Sequence, residues 1–132
     1  ARHLGTEYEM LAELGENDRS ATGYLPQEEF RIVAQAFFAC PDESVRGWET
    51  ARDAQRRIVE VVKMILAREH APGDIAIVAH GGVGTLLLCH LKGVEISAGE
   101  SQPGTNGGNY FCFDAGSQSL LQGWKAIDED GG

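Results

Sequence analysis

His80 ends the apolar run Ile75-Ala-Ile-Val-Ala79 and is followed at once by Gly81, Gly82 and a helix-like segment. Such an order places unpaired backbone amides and the positive end of a helix dipole beside an imidazole. That combination binds anions. The carboxyl ends of strands in open α/β sheets are also where ligands are held. A histidine that only caps a tight turn would look the same in sequence. The two glycines favour the ligand reading, because they let a bound group approach the backbone closely.

Arg19 is the second residue with suitable chemistry, since a guanidinium clamps phosphate with two parallel hydrogen bonds. It lies in Leu14-Gly-Glu-Asn-Asp-Arg-Ser-Ala-Thr-Gly-Tyr24, a stretch dense in turn formers and therefore a loop. A solvated loop arginine is the alternative. His90 falls within a helical pattern and reads as surface or packing, and Arg57 reads as an ion-pair partner of Glu49 or Asp53.

Several elements must position these residues. Residues 1–5 look like a helix tail closed by Gly5, and Tyr8 to Leu14 like a short strand. Pro26 suits a first helical position. Phe30, Val33, Ala34, Phe37 and Phe38 then repeat with helical spacing, ending before Pro41. Thr50 with Asp53 resembles a capping box and opens a second helix, whose stripe is Ala54, Ile58, Val61, Val62, Ile65 and Leu66. Ile75 to Ala79 fits a central strand covered on both faces. Val83 to Leu91 is the helix behind His80, stopped by Gly93. Residues 97–109 form a long loop, Tyr110 to Asp114 and Ser119 to Ile127 a hairpin, and the last five residues an acidic tail. Alternating helices and strands give an α/β class.

The chain has 132 residues, enough for one domain, and 42% of them are hydrophobic. No apolar run approaches the roughly 20 residues of a membrane span, and no signal peptide is visible. Cys40, Cys89 and Cys112 are scattered, which suggests reduced thiols and a cytoplasmic setting. Cys89 and Cys112 lie in apolar runs and are expected to pack. Net charge is −9, from 20 acids against 11 bases. That argues against a nucleic-acid surface. It leaves room for an anionic substrate, because a few arginines in a cleft set the local field.

His80-Gly81-Gly82-Val83, with Leu87-Leu88-Cys89 and Gly93 behind it, resembles the second histidine motif of the histidine phosphatase superfamily, the phosphoglycerate-mutase-like proteins. Leu14-Gly-Glu16 resembles that family's L-x-E element, which carries an acid near the leaving group. Gly47-Trp-Glu49-Thr50, Asp53 and Arg57 resemble its G-E-S-x-x-[DE] segment and trailing arginine, with Trp48 inserted. Gly108-Asn109-Tyr110 and Phe113-Asp114 resemble its late strand. The resemblance covers most of the chain. It implies a three-layer αβα fold with a mostly parallel central sheet, in one domain over residues 1–132. It also implies phosphoryl transfer: phosphomonoester hydrolysis through a phosphohistidine, with mutase-type isomerisation as the alternative. In that reading His80 and the amides of Gly81 and Gly82 donate to phosphoryl oxygens, and Glu16 supplies the proton. Arg19 and Asn109 bind phosphate or substrate. No metal and no cofactor is implied. The expected partner is a small phosphorylated substrate, with no nucleic acid and no membrane, and a homodimer stays open.

The family's phosphate-accepting histidine lies in an R-H-G motif ending the first strand. Arg2-His3-Leu4-Gly5 only imitates it. No strand precedes it, Leu4 interrupts it, and it lies too near Glu16, where the family has two βα units of on the order of 60 residues. The accepting histidine is therefore expected upstream of Ala1. Residues 1–132 are then the C-terminal two-thirds of the domain and inactive alone. If that segment is truly absent, a non-catalytic phospholigand-binding module is the rival reading. An esterase fits less well: its G-x-S-x-G elbow has no better counterpart than Gly99-Glu-Ser101-Gln-Pro103, which ends in proline.

Overall fold

The computed structural model describes residues 11–68, 77–101, 109–114 and 116–126. The expected helix tail at residues 1–5, Tyr8 to Met10, Ile75, Ala76 and the acidic tail lie outside them. So does residues 102–108 of the long loop.

Three α-helices form the body of the described residues. Helix α1 spans Gln27–Ala39, with Pro26 as its N-cap rather than its first residue. Helix α2 spans Ala51–Arg68. Its start follows from the Thr50 side chain, whose Oγ1 accepts from the Asp53 amide at 3.0 Å, the bond expected of a capping box. Helix α3 spans Gly81–Lys92, two residues earlier than its apolar stripe alone marks, and Gly93 ends it in the left-handed conformation at φ 69°. The apolar faces meet in one core that includes Phe37, Trp48, Ala54, Ile58, Val83 and Leu86. Gln55, on α2, crosses to α3 and donates to the carbonyl of Leu86 at 3.0 Å. That bond fixes how the two helices sit along one another.

Strands β1 (Asn109–Phe113) and β2 (Leu120–Ala126) pair antiparallel, with Tyr110 opposite Lys125 and Phe113 opposite Leu120. Phe111 and Trp124 meet edge to face at 5.0 Å, a favoured aromatic geometry. Trp124 also lies over Gly84 in the first turn of α3: a Cβ there would be 3.3 Å from the indole. The hairpin is thus docked beside the start of α3.

Four expectations differ from what is found. Ala12–Leu14 is a 3₁₀ turn and not the end of a strand. Ile77 to Ala79 has no strand assignment, and Val78 is 86% exposed rather than covered on both faces. An apolar run is covered and paired only where neighbouring strands supply a ladder, and the run itself does not encode those neighbours. Among the described residues the sheet is an antiparallel hairpin, so no parallel central sheet is seen there. Cys112 is exposed, because alternation along β1 turns it away from the face that Phe111 and Phe113 share. Among the described residues no helix is long and apolar enough to cross a membrane.

Candidate active site

The loop from Gly15 to Arg19 is built around Arg57 of α2. Its Nη1 donates to the carbonyls of Glu13 at 2.7 Å and Gly15 at 2.8 Å. Its Nη2 donates to the carbonyl of Glu16 at 3.3 Å and to Oε1 of Glu49 at 2.8 Å. Nε completes a forked pair on Glu49 Oε2 at 3.1 Å. Hydrogen bonding to Glu49 pushes the guanidinium pKa up against the opposing effect of burial. Glu49 also ties down the loop, since its Oε1 accepts from the Asp18 amide and its own amide donates to the Asp18 carbonyl. Asp53, the other expected partner of Arg57, pairs with Arg56 instead.

So held, Glu16 reaches the start of α3. Its Oε2 accepts from the Gly82 amide at 2.8 Å, and its Oε1 from the Val83 amide at 2.8 Å. Oε1 also accepts from the Asn17 amide at 3.2 Å. A carboxylate here meets two unpaired amides and the positive end of the dipole. The amide of Gly82, expected to stand open to a phosphoryl group, is therefore engaged by Glu16. Gly82 has no room for a side chain, since a Cβ would lie 2.5 Å from Glu16 Oε1.

His80 is the N-cap residue of α3, with extended backbone and no side-chain cap bond. Its ring is exposed. The imidazole is thus not the cap of this turn; Glu16 has that role.

Arg19 extends the cluster on the other side. Its Nε donates to Asn17 Oδ1 at 3.0 Å, and its Nη2 lies 3.7 Å from Glu16 Oε2. The guanidinium carbon stands 4.9 Å from the centroid of the Phe30 ring and 5.0 Å from that of Trp48, within cation–π range. Burial pushes the Arg19 pKa down, and the charge of Glu16 opposes this. The Trp48 Nε1 donates to Thr22 Oγ1 at 2.8 Å.

Glu16, Arg19, Gly82 and the His80 turn are thus brought together. Asn109 lies at the start of β1, opposite Ala126, in the hairpin that Trp124 docks on α3. Asn17 carries no signal of its own in the sequence. It is buried at 3% exposure, yet an asparagine among turn formers looks like any loop residue. Trp48, which looks like an insertion, is a buried anchor.

The model of the histidine phosphatase superfamily, branch 1, matches residues 1–121. The chain belongs to the histidine phosphatase superfamily. Membership supports an α/β fold and phosphoryl transfer as the broad chemistry. No curated protein matches the chain. In this superfamily member, the segments resembling the L-x-E and second-histidine motifs meet across 66 residues of sequence, in the Glu16–Gly82 bond.

Proposed function

We propose that this chain supplies part of a phosphomonoester hydrolase site, with His80 as a donor to the phosphoryl group and Glu16 as the leaving-group acid. The accepting histidine comes from an R-H-G segment upstream of Ala1. Its imidazole nitrogen attacks phosphorus while the ester P–O bond breaks, and the leaving oxygen takes a proton from Glu16. Water then attacks the phosphohistidine, Glu16 takes back a proton, and phosphate and free histidine result.

The observation that carries this reading is the double hydrogen bond from Gly82 and Val83 to Glu16, which sets the acid beside the His80 turn. Oε1 accepts two amides, whereas Oε2 accepts one and faces Arg19 at 3.7 Å. A lone pair on Oε2 stays open to a proton.

Hydrolysis is favoured over a mutase reaction. A mutase must hold a second anionic group of its substrate, and Arg57 is already engaged by Glu49 and three carbonyls. The test is release of inorganic phosphate from a panel of phosphomonoesters by the full-length protein, with vanadate inhibition. Turnover lost in Glu16→Gln with the fold intact supports the assignment; no turnover across the panel removes it.

A further inference from the structure

Next to Glu16 lies a cavity of about 420 Å³ whose walls include Arg19, Tyr24, Leu25, Gln27, Phe30 and Trp48. Trp48 backs the wall and is itself buried, at 2% exposure. Tyr24 stands at its rim, 91% exposed, an aromatic surface left in water. The lining holds three aromatic rings and a leucine, with no carboxylate, and Gln27 is its one neutral amide. Hydroxyl-rich leaving groups need convergent donors and acceptors, or their own polar groups are stranded. This wall provides few of them.

Arg19 links the cavity to the acid. Its guanidinium rests against Phe30 and Trp48, while its Nη2 faces Glu16 Oε2 at 3.7 Å. Arg19 is therefore common to the surroundings of the Glu16 carboxylate and to the cavity wall.

We propose that this cavity receives the leaving group of the substrate and selects a flat, apolar ring, so that the substrate class is a ring-bearing phosphomonoester such as a benzyl or aryl phosphate. The proposal rests on Glu16 being the leaving-group acid. Burying one phenyl ring stabilises binding enough for a selectivity above about tenfold. Tyr24 contributes a stacking share of about 2–10-fold.

The experiment compares kcat/KM for benzyl phosphate, glycerol 3-phosphate and glucose 6-phosphate in the full-length protein and in Tyr24→Ala. All three release alkoxides, so the intrinsic advantage of a phenolate leaving group does not enter. Tyr24 is exposed, and a melting temperature confirms that its variant folds. The expected result is at least a tenfold preference for benzyl phosphate that shrinks 2–10-fold in Tyr24→Ala. A preference for either polyol ester, or a benzyl preference indifferent to Tyr24→Ala, would overturn the proposal while leaving the hydrolase reading intact. Turnover of other esters in the panel but of none of these three would overturn the proposal alone, and turnover of no ester at all would remove both.

Discussion

Glu16 and Gly82 constrain one another: the three atoms nearest to a Cβ placed on Gly82 all belong to the Glu16 carboxyl group, the first at 2.5 Å. The carboxylate takes the place of the missing side chain and bonds the amides beneath it. A glycine is thus needed here for close approach, although its backbone is helical.

Gly82→Ala should change sign with its background. In the wild-type protein the new methyl displaces Glu16 and weakens two charge-assisted bonds, against a helix-propensity gain of up to about 1 kcal/mol. A net loss of about 1–2 kcal/mol is expected. In Glu16→Ala the obstruction is gone, and the same change should stabilise by up to about 1 kcal/mol. Urea denaturation of the four proteins measures the coupling. Equal effects in both backgrounds would show that the two residues do not interact.

Arg57→Lys should cost about 2–3 kcal/mol, because an ammonium cannot reproduce the fork on Glu49 together with three carbonyl bonds. Turnover should fall as well, since the Glu16 loop loses its anchor. Chemical denaturation is the check, and a change below about 0.5 kcal/mol would make Arg57 an ordinary surface arginine.

What was legible in the sequence follows from the range of the interactions. Helices α1, α2 and α3 could be read because spacing and caps are local: Thr50 bonds Asp53, and Gly93 stops α3. The Glu49–Arg57 pair could be read because only eight residues of sequence, most of them the first two turns of α2, separate the two. The engagement of Gly82 by Glu16 could not, since 66 residues intervene and no local pattern encodes it. Trp48 looked like an insertion because a motif records order, whereas its burial depends on Phe30 and Phe37 folding back over it. The same holds for Ile77 to Ala79: the apolar character of a segment is local, whereas whether it pairs as a strand is not.

The three thiols should react in a set order. Cys112 is exposed, Cys40 half-buried and Cys89 buried. Burial is the main cause pushing the Cys89 thiol pKa up. A disulfide reagent at pH 8 should therefore modify Cys112 first and Cys89 only on unfolding. The raised folded-state pKa also fixes a sign: the unfolded thiol ionises first, so the contribution of Cys89 to stability is present below about pH 8.5 and lost above it. Melting temperatures from pH 7 to 10 should fall less steeply in Cys89→Ala than in the wild type. Identical slopes would contradict the assignment.

The most direct test of His80 is its alanine variant in the full-length protein, with melting temperature and phosphate-ester turnover measured on the same samples. The ring is exposed and makes no cap bond, so removing it should change stability by no more than about 0.5 kcal/mol. Loss of one preorganised donor to the phosphoryl group should lower turnover by about 10²–10³-fold. Turnover that falls this far in a protein with an unchanged melting temperature is the expected result. Wild-type turnover in an intact His80→Ala protein would contradict it.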